Sequence, residues 1–302
     1  MSQDSRHETN AAPTQASDVR TVDDLLTEGR LVLRASRFRH DDRFDVEPRE
    51  AAYLLAHVLA VREVQVRAFG EREVDGERAA HYLDLVRRRA SGEPAAYLVG
   101  HREFYGREFR VDPRVLIPRP ETEHLIEAVL ALDLPVGSAI LDVGTGSGCI
   151  AATLALETSA RIVATDLSLD ALEVARCNAR RLGAKVHFLR TDLLSGLCLD
   201  TLDLVVSNPP YVSPEALPTL SPEVTEHEPH LALFAPKDGT QVVERLLGVA
   251  RTMRTGSWMV LEIGHDQGSW LERRIEGLEH LTLARLILDY GGRPRTAVLQ
   301  VT

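Results

Sequence analysis

Apolar residues recur with two different periods along this chain, and the change of period divides it. From Thr21 the spacing is helical: Leu25, Leu26, Val32 and Leu33 fall on one face, and Thr21 with Asp24 three residues on has the form of a capping box. A second helix is predicted from about Pro48 to Ala60, with Tyr53, Leu54, Leu55, Val58 and Leu59 turned inward, and a third from about Gly76 to Ala90. Residues 21–92 therefore read as a small helical domain. Residues 92–127 carry turn residues, aromatics and short alternating stretches, which predict a hairpin linker over 93–118 leading into a helix near Pro120.

Beyond residue 139 the period switches between two and 3.6. Strands are expected at 139–143, 161–165, 185–190, 202–207 and 257–263, with helices from about 148 and at 169–182, 239–254 and 267–276. This alternation points to an α/β fold, a parallel sheet covered by helices on both faces. The closing stretch LTLARLILDYGGRPRTAVLQVT reads as two strands around Gly291-Gly292, so the sheet ends in a hairpin with one antiparallel strand.

Composition narrows the classes. The 302 residues are 44% hydrophobic and 26% charged, ordinary for a soluble globular chain of about two domains. Apolar runs fall far short of the roughly 20 residues of a membrane span. Asp4, Glu8 and Asp18 occupy the first twenty residues without an apolar export segment, so a cytoplasmic location is expected. Residues 1–20 lack the large apolar side chains needed to offset ordering entropy and are expected to form a disordered tail. Cys149, Cys177 and Cys198 have neither disulfide nor zinc spacing. A net charge of −10 argues against a protein that binds mainly by neutralising many phosphates, so no direct nucleic-acid binding is expected.

The stretch ILDVGTGSGCIA places glycines at 144, 146 and 148 between a strand and a helix, where they permit a tight turn and close approach of a ligand to backbone. The dinucleotide fingerprint would require a glycine at position 149, which is Cys149. Asp166 ends the next strand, 18 residues after Gly148, and Asp192 follows the one after. Alone, the loop could be a bare turn and Asp166 a helix N-cap. Together they form a row along the carboxyl edge of the sheet, where ligands of open α/β sheets bind. The combination resembles the S-adenosyl-L-methionine site of Rossmann-like class I methyltransferases, whose sheet is seven-stranded and mixed. That resemblance implies that Asp142 and the loop Gly144, Thr145, Gly146, Ser147 and Gly148 face the methionine end. It places Asp166 on the ribose hydroxyls and Asp192 with Leu193 at the adenine.

The fourth strand ends in Asn208-Pro209-Pro210-Tyr211. This resembles the motif of methyltransferases acting on a planar nitrogen, either glutamine amide or exocyclic adenine. An amide nitrogen is a poor nucleophile because its lone pair is delocalised. Acceptors on the Asn208 side chain and the Pro209 carbonyl would hold it in line and favour the developing positive charge. The prolines would fix that geometry in advance, and Tyr211 would offer an aromatic face.

Further strings choose between the two nitrogens. VLIPRPETE (115–123), EPAAYLVGHREFYGREFRV before it, EVTEHEPHLALFAPKDG and the closing DYGGRPRTAVL closely resemble the release-factor glutamine methyltransferase family over about residues 21–302. The resemblance implies transfer of methyl to the side-chain amide nitrogen of the glutamine in the Gly-Gly-Gln motif of bacterial peptide-chain release factors. It also implies a methyltransferase domain over 119–302 and a substrate-docking role for the helical domain. Cofactor contacts then fall to Asp142, residues 144–148, Asp166, Asp192, Leu193 and Asn208, and substrate contacts and catalysis to Asn208 through Tyr211. Leu193 replaces the aromatic of some members. The alternative, an adenine-N6 methyltransferase acting on DNA or RNA, would call for a basic recognition element, whereas the 21–90 segment mixes acids with its arginines.

Other residues read as structural. His57, His101, His227 and His230 lack metal-ligand spacing, so no metal is expected, and Cys149 is read as helix packing. Phe104 and Tyr105 are open between hairpin core and pocket border. Arg87-Arg88-Arg89 is read as a solvated helix face that could also meet a partner.

Overall fold

A computed structural model of the chain describes residues 19–38, 46–236 and 238–302. Among these residues the chain divides into two compact units, the first of residues 19–38 and 46–91, the second of residues 92–236 and 238–302.

In the first unit, β1 (Arg20–Thr21) pairs antiparallel with β2 (Glu73–Val74), and the helices are α1 (Val22–Arg34), α2 (Glu50–Leu59), α3 (Glu63–Ala68) and α4 (Gly76–Ala90). The Thr21–Asp24 capping box is present, each residue's side chain accepting from the other's backbone N–H. Leu25, Leu33, Leu54, Leu55, Tyr82 and Leu85 are buried between α1, α2 and α4. The disorder expected for residues 1–20 falls, as far as residue 18, outside the described residues, while Arg20 belongs to β1.

One reading of this unit is corrected. Arg89 is not on a solvated face: the helical period aligns it with Tyr82, Leu85 and Val86, and it is 2% exposed. Its Nε and Nη2 donate to the two carboxylate oxygens of Glu50 at 2.7 and 3.1 Å. Arg87 and Arg88 remain exposed.

α1 approaches its neighbours through Gly29, where a Cβ would stand 1.9 Å from the Tyr82 hydroxyl and 3.3 Å from the Ala51 Cβ. That hydroxyl is buried with no hydrogen-bond partner among the described residues. In an isolated helix Gly→Ala stabilises by about 1 kcal/mol. Here Gly29→Ala is expected to lower the melting temperature, because overpacking of about 1–3 kcal/mol outweighs propensity. Tyr82→Phe, which removes an unsatisfied buried hydroxyl, should raise stability and soften the Gly29→Ala defect; thermal melts of the two single variants and the double check both.

The second unit opens with α5 (Ala95–Val99), β3 (His101–Phe104) and β4 (Arg107–Arg110), the last two an antiparallel hairpin. A 3₁₀ turn, Pro120–Thr122, leads into α6 (Glu123–Leu130). Then follow β5 (Ala139–Val143), α7 (Cys149–Glu157), β6 (Arg161–Asp166), α8 (Leu169–Leu182), β7 (Val186–Arg190) and β8 (Leu204–Ser207). After α9 (Pro222–His227) and α10 (His230–Leu233) come α11 (Gln241–Val249), β9 (Trp258–Glu262), α12 (Gly268–Glu276), β10 (Leu281–Leu288) and β11 (Pro294–Val301).

Seven strands form one sheet in the order β10-β11-β9-β8-β5-β6-β7. All neighbours are parallel except β11, which runs antiparallel to both β9 and β10. This is the mixed seven-stranded sheet that the resemblance to class I methyltransferases leads one to expect. Alternation along the strands sends Leu141, Val143, Val205, Met259 and Leu261 to the face carrying α11 and α12, and Ile140, Ile162, Ala164, Val206 and Val260 to the face carrying α6 and α7. Phe104 and Phe109 of the hairpin pack edge-on in this second core, 6.0 Å between ring centres. The consequence for function is that the carboxyl ends of β7, β6, β5, β8 and β9 stand side by side.

Candidate active site

The row along that edge reads Asp192, Asp166, the glycine loop, Asn208 and Glu262. A cavity of about 270 Å³ opens beside it, and among the residues assigned from sequence its lining includes Gly144, Thr145, Gly146, Ser147, Asp166, Asp192, Leu193, Asn208 and Pro210. Asp142, Gly148, Pro209 and Tyr211 are not part of that lining.

The loop is tied down before any ligand arrives. Gly144 N and Thr145 N both donate to the Thr165 carbonyl of β6 at 2.9 Å. The Asp166 carboxylate accepts from Gly146 N through Oδ2 and from Ser168 N through Oδ1, each at 2.9 Å. Ser168, not Asp166, caps α8, which frees the acid from the capping role considered for it. Burial raises the Asp166 carboxyl while those backbone N–H groups pull it down. Each carboxylate oxygen retains a lone pair for a further donor.

Gly146 and Gly148 have different work. Gly146 has φ +54, and a Cβ there would meet nothing within 4 Å, because the position borders the cavity. Gly148 has φ +79, and its Cβ would meet Ala175 Cβ at 3.0 Å, so it permits α7 to start against α8. Asn178 of α8 completes the support: it is fully buried, donates to the Ser147 and Arg110 carbonyls at 2.9 Å, and accepts from Arg110 N at 2.8 Å.

Asp142 is fully buried on the α7 side of the sheet. Thr145 donates its hydroxyl to Oδ2 at 2.6 Å, and among the described residues Oδ1 has no hydrogen-bond partner. Burial outweighs the pull of the Thr145 hydroxyl and the Ala151 backbone N–H and pushes its pKa up to about 7. Cys149, also buried, has its thiol pushed up to about 12 by burial, which makes it packing rather than a nucleophile.

Asn208 follows β8 and donates Nδ2 to Thr122 Oγ1 at 3.2 Å. Thr122 donates to Glu262 Oε2 at 2.7 Å, and Tyr211 donates its hydroxyl to Glu262 Oε1 at 3.2 Å. Tyr211 is thus engaged with Glu262 rather than lining the cavity. Burial raises the Glu262 carboxyl, while the Thr122 hydrogen bond and the charge of Arg295 oppose the shift.

Two segments wall the cavity, one containing Val115, Leu116 and Pro118, the other Leu231, Phe234 and Pro236. Glu228, 3% exposed, fastens them: it accepts from Ile117 N at 3.2 Å and pairs with Arg119. Asp192 pairs with Arg245 at 2.8 Å, and Leu193 takes φ +52 with its carbonyl accepting from Thr165. Phe104 is core and Tyr105 packs partly against it at the hairpin turn, so neither borders the cavity. Among the described residues no group of three His, Cys, Asp or Glu could hold a metal ion.

The PrmC N-terminal domain family matches residues 24–100, and the methyltransferase small domain family residues 122–226. A release factor glutamine methyltransferase of Koribacter versatilis is 42% identical over 269 residues, covering 87% of this chain and 95% of that protein. The chain belongs to the release factor glutamine methyltransferase family. Proteins of the same name from Neisseria gonorrhoeae (44% identical, 73% of this chain and 81% of that one) and Moorella thermoacetica (41%, 82% and 88%) also match. The catalytic domain of hMettl16 in complex with MAT2A 3′UTR hairpin 1 superposes with a TM-score of 0.52 at 17% identity, covering 88% of this chain and 94% of that one, a likeness of fold alone.

Within this family member the sequence reading assigned no part to Thr122, Asn178, Glu228 or Glu262. Glu262 carried the same signal as Asp166, an acid closing a buried strand, and could have been found by it.

Asp142 ionises near pH 7 in the fold and at 3.8 unfolded, so its burial penalty is absent below pH 3.8, grows as pH rises and is complete above about 7. The melting temperature of the wild type relative to Asp142→Asn should therefore fall between those limits and then level. Asp166→Ala should weaken S-adenosyl-L-methionine binding about 10- to 100-fold by calorimetry, the worth of its charge-assisted hydrogen bonds, while circular dichroism stays native.

Proposed function

We propose that this protein transfers a methyl group from S-adenosyl-L-methionine to the side-chain amide nitrogen of the Gly-Gly-Gln glutamine of peptide-chain release factors. The observation that carries the reading is Asn208 at the cavity wall, with Nδ2 engaged by Thr122 and Oδ1 receiving no hydrogen bond among the described residues. An acceptor held in place is what a planar amide N–H requires.

The residues present fit the cofactor. Gly146 leaves open space where a side chain would intrude, Asp166 presents a fixed carboxylate, and Asp142 has a buried oxygen without a hydrogen-bond partner among the described residues. The N-terminus of α7 adds a positive end suited to a carboxylate. When bound, S-adenosyl-L-methionine supplies a methyl on a sulfonium, which passes to the nitrogen as the carbon–sulfur bond breaks.

Everything else is done by positioning. Asn208 Oδ1 and the Pro209 carbonyl accept from the substrate amide N–H groups, orient the lone pair and favour the positive charge that develops on nitrogen. An N-methylated amide cation is strongly acidic and sheds its proton to water, so no strong base is required. The apolar walls exclude water while Glu228 keeps them together.

The helical unit, residues 21–92, is proposed as the surface that docks the release factor, with the cytoplasm as the place of action. The net charge of −10 supports a protein rather than a nucleic-acid substrate, and among the described residues no helix is long and apolar enough to cross a membrane.

The test is transfer of labelled methyl to a purified release factor beside a copy whose Gly-Gly-Gln glutamine is alanine. Label on the first alone is expected. Label on neither, with cofactor binding intact, would direct the search to duplex DNA and structured RNA. Asn208→Ala should lower kcat about 10²- to 10³-fold in the same assay, the usual effect of removing one positioned hydrogen-bonding group.

A further inference from the structure

A primary amide can be turned over with little change of shape, and in this site the two orientations are chemically opposite. With Oδ1 toward the cavity, Asn208 accepts from a substrate N–H. With Nδ2 there instead, it opposes donor to donor. Nothing in Asn208 itself chooses between them, so the choice comes from its surroundings.

We propose that Thr122 and Glu262 are positioning residues that lock the Asn208 amide with its acceptor oxygen toward the substrate. The inference rests on the reading of Asn208 as the group that accepts from the substrate amide. Glu262 ends β9 and is 1% exposed. As a carboxylate it can only accept, and it accepts hydroxyl protons from Thr122 at 2.7 Å and Tyr211 at 3.2 Å.

Thr122 has one hydroxyl proton. With that proton on Glu262, Oγ1 presents lone pairs to Asn208 and can only accept. Nδ2 satisfies it at 3.2 Å, whereas a flipped amide would press Oδ1 against those lone pairs. The direction of each hydrogen bond is thus set by the one before it. Thr122 is held for the part by the Pro120–Thr122 turn, whose last residue is 2% exposed. Tyr211 is fixed from its other side, its carbonyl accepting from Gln267 at 3.3 Å. The first and last residues of the strand-end motif, Asn208 through Thr122 and Tyr211 directly, therefore answer to the same carboxylate.

The test is a double-mutant cycle in the release-factor assay, with cofactor affinity measured by calorimetry. Thr122→Val removes the acceptor and keeps the shape. It should lower kcat about 5- to 30-fold, the discrimination that one hydrogen bond supplies, with cofactor affinity unchanged, and Thr122→Ser should restore most of the loss. In an Asn208→Ala background Thr122→Val should cost nothing further, because the group it orients is gone. If Thr122→Val does not fold, Thr122→Ala reads the same cycle.

Wild-type turnover in Thr122→Val, or a loss that persists in full in the Asn208→Ala background, would overturn the inference while leaving the proposed function standing. Absence of methyl transfer by the wild type would overturn both.

Discussion

A parallel sheet buried on both faces can present polar groups to a ligand chiefly at its strand ends, and this site is built from that constraint. The backbone groups released where β5 and β6 end must find partners. Here they find them in each other's loops: Thr165 takes two N–H groups of the glycine loop, and Asp166 takes Gly146 and Ser168. One strand end therefore shapes the next. Asn178, reaching from α8 to the Ser147 and Arg110 carbonyls, ties the loop to both the helix layer and the hairpin.

The same economy extends to the other end of the row. Ser207 donates to the Val143 carbonyl at 2.7 Å, joining the ends of β8 and β5 where the glycine loop and the Asn208 segment diverge. Val212 exchanges hydrogen bonds with the 233–235 segment at 3.0–3.1 Å, so the chain leaving Tyr211 is stitched to one wall of the cavity. Glu228 stitches that wall to the other. The strings VLIPRPETE and EVTEHEPHLAL, distant in sequence, are the two sides of one ion pair, half-buried Arg119 with buried Glu228.

Much of this was legible from periodicity. Strand 139–143 and helices 76–90 and 169–182 have the bounds their spacing predicts, because alternating or helical apolar residues leave one way to bury them. α3 was not foreseen: in EVQVRA Val66 alone is buried, too little for a periodic signal. Arg89 was misread because three consecutive arginines look solvated, while the helical period places the third on the core face where Glu50 meets it. The strand-end acids Asp166 and Asp192 were legible as a row. Thr122 was not, since a hydroxyl in a turn gains its meaning from Glu262, 140 residues away.

Catalysis that needs no base depends on orientation, and orientation in this fold is obtained from buried carboxylates whose ionisation the interior opposes. Asp142 and Glu262 are both essentially unexposed, and burial raises both. A core chosen for stability alone would place apolar residues at the ends of β5 and β9. Their presence fits a division of labour in which the sheet supplies stability through its two apolar faces and gives part of it up at one edge. Removing either acid would then separate two properties that usually travel together. The fold would lose little, or gain, while the groups those acids hold, Thr145 beside the glycine loop and Thr122 beside Asn208, would lose the partner that gives their hydroxyls a direction.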